Sequence, residues 1–283
     1  MSIVHFIIYL TLAPLAGGLL SWFDRKVTAR MQGRVGPPVL QPFYDVLKLL
    51  GKENIVVRRS QNFYIIFYFI AVILAGALFF AGENILLIIF ALTLADIFLV
   101  LGAFKASSPY SFVGAQRELI QMAAYEPIFI FSAICLDLVV GSFYVSDIVV
   151  FKGAAASRMP AAIIAFIFAL VIKFRKSPFD LSTSHHAHQE LVKGLTTEFT
   201  GRTLALIEIA HWLEMIIMLG FLFLFFADDY LAGGAITFLI FLFVIFIDNT
   251  FARARWQAML KISWVTATIL CLGNIFVIFY FFM

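Results

Sequence analysis

Eight runs of mostly apolar residues, near 3–22, 63–82, 85–104, 118–140, 159–175, 203–226, 231–250 and 262–282, limit what this chain can fold into more than any other feature. A helix needs roughly 20 such residues to cross the hydrocarbon of a bilayer. In lipid it also satisfies every backbone hydrogen bond within its own segment. With 63% hydrophobic and only 13% charged residues, an ordinary soluble globule is excluded. The pattern predicts an all-α, polytopic membrane protein, a single integral membrane domain over 1–283. It would have about eight transmembrane helices, a short interfacial amphipathic helix and two long loops, 23–62 and 173–202.

Lysine and arginine are unevenly placed. Short cytoplasmic connections retain them, and all but two of the 20 lie on one set of connections, among them Arg25, Lys26, Lys48, Lys173, Lys176 and Arg253. Lys152 and Arg158 occupy the other set. This asymmetry predicts a multi-pass protein of the cytoplasmic (inner) membrane, with both long loops cytoplasmic and both termini outside. It also accounts for the net charge of +3, so the basic balance implies a lipid bilayer and no nucleic acid. The first run resembles a signal peptide in length, but it lacks a basic leading segment. Trp22-Phe23-Asp24-Arg25-Lys26 follows it in place of a small-residue cleavage site, so it is expected to remain as a helix.

The first loop contains GRVGPPVLQPFYDVLKLLGKE. Pro42 suits the first helical position after Gln41, because its missing N–H is not needed there. Phe43, Val46, Leu47 and Leu50 then fall at i, i+3, i+4 and i+7, while Asp45, Lys48 and Lys52 stay available to water. That spacing predicts a short helix lying in the membrane interface. It is either a surface anchor or a floor on which a soluble partner or a substrate channel sits.

Acids inside the apolar runs carry the functional signal. Asp96 lies in the third run, Glu118 and Glu126 in the fourth, and Glu208 and Glu214 in the sixth, with Asp137 and Asp248 nearer run ends. A charge at the bilayer centre costs about 2.5–3.5 kcal/mol on insertion scales, so several of them require a reason. Burial disfavours the ionised carboxylate and brings such a group toward proton exchange near neutral pH. Glu208, His211 and Glu214 recur every three residues, which places an imidazole between two acids on one broad side of a helix. Pro127 removes the hydrogen bond its N–H would donate to the Ala123 carbonyl. The break favours a kink and a polar pocket where water could join Tyr125 and Glu126. Such spacing suits a proton path; the same acids could instead pair with basic neighbours or face a companion subunit as structural glue.

The second loop runs KSPFDLSTSHHAHQELVKGLTTEFTGR. Ser184 could cap a helix beginning at His185, on which His186 and Glu190 stand at i, i+4 and His185 and His188 at i, i+3. A metal is geometrically possible, but the spacing is no established ligand signature, and no metal site is assigned. The cluster reads as a proton-handling or partner-docking segment, with a solvated loop as the alternative. Cys135 and Cys271 each sit inside an apolar run and read as packing residues. Iron–sulfur clusters usually take four thiolates, so this chain is not expected to ligate one by itself. No Walker loop or dinucleotide-binding glycine fingerprint occurs, which places any redox or nucleotide chemistry in partners.

Together the two loops resemble the signature regions of the complex I subunit 1 family, most closely its members in energy-converting NiFe hydrogenases of the Ech and membrane-bound types. RVGPPVLQPFYDVLKLLGKE is similar to the family's Arg-x-Gly-Pro and Leu-Gln-Pro interfacial helix, and QMAAYEP to its Gln-Met-x-x-Tyr-Glu helix. SPFDL followed by QELVKGLTTEFTG is similar to its Pro-Phe-Asp-Leu, Glu-Leu-Val-x-Gly and Thr-Glu-Tyr-Ser-Gly loop. The match covers most of the chain in the same order. It implies an eight-helix subunit that anchors a hydrophilic redox arm and links its chemistry to ion movement. Carried over residue by residue, the motif positions are Arg34, Gly36, Pro37, Gln41, Gln121, Tyr125, Glu126, Asp180, Glu190, Glu198 and Gly201, and Glu208 sits where the family carries an acid at the start of the following helix.

The expected proton path therefore comprises Glu126, Glu208, Glu214, His211, Asp96, Glu118, Asp180, Glu190 and Glu198. The expected partner interface comprises Arg34, Gly36, Pro37, Gln41, Asp45, Pro178, Phe179, His185, His186 and His188. No residue is assigned a catalytic role. Quinone-reducing members of the family carry an acid-rich Glu-Ala-Glu segment after Pro-Phe-Asp-Leu, whereas this chain has STSHHAHQE, and Phe199-Thr200 replaces the usual Tyr-Ser. Histidine-containing versions are similar to hydrogenase-type members. The resemblance thus implies a proton- or sodium-coupling membrane subunit of a ferredoxin-dependent, proton-reducing hydrogenase. The NiFe centre and iron–sulfur clusters would sit in partner subunits, with no cofactor bound by this chain. The implied partners are the hydrogenase large and small subunits, an iron–sulfur subunit and an antiporter-like membrane subunit, with ferredoxin acting indirectly. Three alternatives stay open: a quinone-site subunit of a complex I-like oxidoreductase, a freestanding secondary transporter, for which no inverted repeat is evident, and a non-conducting structural anchor.

Overall fold

The computed structural model describes residues 3–54, 59–153, 155–182 and 193–282. Its helices are α1 (Ile3–Met31), α2 (Gln41–Leu50), α3 (Arg59–Phe80), α4 (Ile85–Lys105), α5 (Pro109–Val140), α6 (Val145–Val150), α7 (Ala155–Arg158), α8 (Pro160–Lys173), α9 (Gly201–Leu224), α10 (Tyr230–Thr250), α11 (Trp256–Thr266) and α12 (Gly273–Phe282). A π-helical stretch, Ala267–Leu272, joins the last two into one apolar span, Trp256–Tyr280. Among the described residues seven helices are long and apolar enough to cross a membrane, and no strand forms. The protein is an all-helical, polytopic membrane protein, as the apolar runs predict.

Local chemistry explains where helices and runs differ. The run at 159–175 yields only the 14-residue α8, about 21 Å long at 1.5 Å per residue and short of the ~30 Å hydrocarbon. Pro160 confines its start, since proline fits only the first turn, and Arg175 at φ 53 leaves the helical region beyond its end. In α1 nothing breaks the helix until Gly33 at φ 72, so Trp22 through Met31 stay helical and shorten the loop expected at 23–62. α2 begins at Gln41, one position before Pro42.

The chain divides into two compact units. The first comprises Met1–Ala77, Ala91–Ile120 and Asp180–Ile216. Here α2 seats on α1 and α9: Phe43 and Trp212 meet edge to face at 5.5 Å, and Val46, Leu49, Ala205 and Ile209 pack around them. Two glycines permit the approach. A Cβ on Gly17 would lie 2.7 Å from the Trp212 Cβ, and one on Gly18 would lie 2.5 Å from the Phe43 ring.

Asp45, expected to stay available to water, is 40% exposed and also fastens α2. Its carboxylate accepts from Arg25 at 2.8 Å and from the Gln41 amide at 2.8 Å. Partial burial works against ionisation, but the Arg25 and Gln41 hydrogen bonds and the Arg25 and Lys48 charges outweigh it and hold the carboxyl below its ordinary range. A lowered value means that the tether contributes fully above the ordinary carboxylate pKa and is lost as pH falls through the lower folded value. For an exposed pair worth about 0.5–1 kcal/mol, Asp45→Asn is expected to speed amide hydrogen exchange across α2 about two- to fivefold at pH 7. In acid below both values the variant and the parent should exchange alike.

The second unit comprises Leu78–Phe90, Gln121–Phe179 and Ile217–Met283. α8 is its centre, packed by α10, α11, α12 and the π-helical stretch. The Phe166 ring stands 5.2 Å from Phe129, 4.7 Å from Phe221 and 5.3 Å from Phe225. Asp229 caps α10 by accepting from Leu231 N at 3.0 Å, as a short acid does at a helix start. At the other end of α10, Asp248 accepts from Lys176 Nζ at 3.1 Å and from Ser177 N at 2.8 Å. Both units leave large side chains such as Leu12, Phe90, Leu239 and Phe276 exposed on their spans, a surface that suits lipid and not water.

Candidate functional site

Building α9 begins with a close backbone approach. Gly201 sits at φ 52, and a Cβ there would lie 2.7 Å from the Glu53 carbonyl oxygen and 2.8 Å from Asn54 Oδ1. Thr203 Oγ1 donates to the Thr200 carbonyl at 2.8 Å, closing the first turn. Two turns on, His211 and Glu214 share a face, with Nδ1 3.6 Å from Oε2. Tyr68 reaches them from α3: its Oη lies 3.1 Å from His211 Nδ1 and donates to Glu214 Oε1 at 2.9 Å.

A phenol has one proton, and Tyr68 gives it to Glu214. In the tautomer with hydrogen on Nδ1, His211 donates to the Tyr68 oxygen, and the set runs from His211 through Tyr68 to Glu214. A hydroxyl that accepts on one side and donates on the other passes a proton by exchanging both bonds. The His211 side chain is 26% exposed and that of Glu214 8%, so the imidazole is the more accessible end of the set. Tyr68, with no exposed surface, keeps its ring in Tyr68→Phe but loses the bridge. That variant loses two hydrogen bonds of about 0.5–1.5 kcal/mol each while His211 and Glu214 remain adjacent, and is expected to lower the midpoint of thermal unfolding of the purified protein.

The remaining expected path residues divide between the units. Asp96 on α4, Glu118 on α5 and Asp180 are buried, and Glu198 and Glu208 are half-buried, all in the first unit. Glu208 takes no part in the Tyr68 set, although it lies one turn before His211. The Asp180 loop is stitched down nearby: Leu195 N donates to the Ser182 carbonyl at 3.1 Å, and Arg117 donates to the Leu181 carbonyl at 3.4 Å. Glu126 lies in the second unit, half-buried on α5, which continues through Pro127. Glu190, His185, His186 and His188 lie outside the described residues.

Of the expected interface, Arg34 is exposed and bonds the Gln32 side chain. Gly36 turns at φ 77, and the Pro37 carbonyl accepts from Trp22 Nε1 at 3.2 Å. Gln41 and Asp45 are engaged with each other. Phe179 is buried, its ring 5.2 Å from Phe168 and its carbonyl accepting from Gln121 Nε2 at 2.7 Å. The Pro178 carbonyl accepts from Ala254 N at 2.9 Å. These two residues fasten the second loop within the second unit. Among the described residues, no three of His, Cys, Asp and Glu are grouped to hold a metal. Tyr68 was not legible: in NFYIIFYFIAV it is one aromatic among many, and its hydroxyl gains meaning only where α3 meets α9.

Known proteins are similar over nearly the whole chain. The family model described as NADH dehydrogenase matches residues 3–279. Hydrogenase-4 component C of Escherichia coli (strain K12) is 28% identical over 97% of this chain and 94% of its own length. The H subunit of the NADH-quinone oxidoreductase of Geobacillus sp. (strain WCH70) is 30% identical over 96% of this chain and 90% of its own. A chain in the structure of the membrane-bound sulfane sulfur reductase (MBS), an archaeal respiratory membrane complex, superposes with a TM-score of 0.86 at 27% identity, covering 97% of this chain and 98% of that one.

Proposed function

Since the chain belongs to the NADH dehydrogenase (complex I subunit 1) family, whose members are membrane subunits of multisubunit oxidoreductases, we propose that it is the membrane anchor and ion-coupling subunit of a ferredoxin-dependent, proton-reducing NiFe hydrogenase. In this reading the loops at 23–62 and 173–202 face the cytoplasm and dock the redox arm through Arg34, Gly36 and the histidines at 185, 186 and 188. Protonation changes at the arm pass by Asp180, Glu190 and Glu198 toward Glu208, His211 and Glu214, with Asp96, Glu118 and Glu126 as further exchange sites. The translocated ion is a proton or sodium. The NiFe centre and clusters belong to the partners.

The observation that carries the coupling role is the Tyr68–His211–Glu214 set, two ionisable groups joined by a hydroxyl on apolar spans. A merely structural anchor has no need of such a chain, because intramembrane ionisable groups are expensive and mark ion pathways. The hydrogenase branch is supported by STSHHAHQE in place of an acid-rich segment and by the likeness to Hydrogenase-4 component C. The similar likeness to an NADH-quinone oxidoreductase component favours a second reading, a quinone-site subunit, which quinone-dependent turnover by the purified complex would support. Glu126→Gln and Glu208→Gln in the assembled complex test the path. The expected result is hydrogen evolution with a failing ion gradient; a gradient that forms normally in both overturns the assignment.

A further inference from the structure

α8 ends on a cation packed against α5. At 14 residues it is about 21 Å long, and its last residue is Lys173. The Lys173 ammonium lies over the ring of Tyr125, 5.3 Å from its centroid. Tyr125 lies on the apolar span Pro109–Val140. Lys173 is half-buried, so the short α8 ends with its cation packed on a neighbouring span.

The turn of α5 beneath the cation is held from a second side. Ser263 on α11 donates its hydroxyl to the Ala124 carbonyl. Three residues further on, Pro127 deprives the Ala123 carbonyl of its usual helical donor. Thus Ala124 is fixed from α11 and Tyr125 from α8, and Glu126 is the next residue. The ring that receives this cation by its face belongs to the residue before Glu126, a half-buried acid on the same span.

We propose that Lys173 is a positioning residue of the ion-coupling machinery, setting the charge around Glu126 from the end of the truncated α8. This rests on the reading that Glu126 exchanges the coupled ion. Lys173→Arg keeps the cation, Lys173→Met keeps the apolar stem, and Lys173→Gln keeps a neutral polar end. The assembled complex in proteoliposomes, driven by reduced methyl viologen, is measured for ions moved per electron pair and for electron transfer. Both neutral variants are expected to lower the ratio at least about fivefold with electron transfer within about twofold, while Lys173→Arg restores it. An unchanged ratio in the neutral variants, with Glu126→Gln losing it, overturns the role of Lys173 and leaves the parent reading standing. An unchanged ratio in Glu126→Gln as well overturns both. Loss of assembly in both neutral variants would make Lys173 a structural prop and also overturn the proposal.

Discussion

Glu214→Gln in the assembled complex is expected to cut ions moved per electron pair at least about tenfold while redox turnover stays within about twofold, a loss of roughly 1.4 kcal/mol or more in the coupling step alone. The substitution is nearly isosteric. A glutamine oxygen still accepts from Tyr68 Oη, which now donates to Glu214 Oε1 at 2.9 Å, so the packing of α3 against α9 has no reason to change. What disappears is the carboxyl that, on the proposed path, takes up the proton delivered through His211 and Tyr68. Redox turnover survives because no redox centre is assigned to this chain. A variant that couples normally would reduce the Tyr68 set to a polar clasp between two helices.

Gly17→Val is expected to have the largest structural effect of any single change in α1, removing more than about four-fifths of the assembled complex from the membrane, since overpacking costs about 1–3 kcal/mol or more where backbone must move. A Cβ at Gly17 would meet the Trp212 Cβ at 2.7 Å and the Trp212 carbonyl oxygen at 2.7 Å. Neither is the free end of a flexible side chain, so relief requires α1 and α9 to separate. Trp212 is the residue after His211, and the same displacement would loosen the seat of α2. Gly234→Ala is the control. A Cβ at Gly234 meets nothing within 4 Å, and alanine is the better helix former by about 1 kcal/mol. Complex content after affinity purification should fall for the first and hold or rise for the second. Equal content for both would mean that the Gly17 contact yields without cost.

The helices were legible in the sequence because lipid leaves little choice: an apolar run of sufficient length must be helical, and α3, α4, α9 and α10 follow their runs closely. Boundaries were less legible where apolarity and helicity part company. α1 continues into a charged segment because nothing there stops a helix, and α8 stops early because Arg175 leaves the helical region. The pairing of His211 with Glu214 was readable from their three-residue spacing. Tyr68 and the seat of Lys173 on Tyr125 were not, since each depends on which helix lies beside which. Lys173 reads in sequence as one more basic residue of a cytoplasmic loop; the packing of α8 beside α5 sets it over Tyr125. Asp45 is exposed, as its place on the polar face of a short helix suggests; its partner Arg25 on α1 was not legible.

The most direct measurement is of the complex captured through an affinity tag on this chain, for its metals, its turnover and the gradient it builds. The account predicts nickel together with iron, hydrogen evolved from reduced ferredoxin, and an ion gradient that forms only while hydrogen is being made. A complex without nickel that turns over on quinone, or an ion flux carried by this chain alone in vesicles, would contradict it.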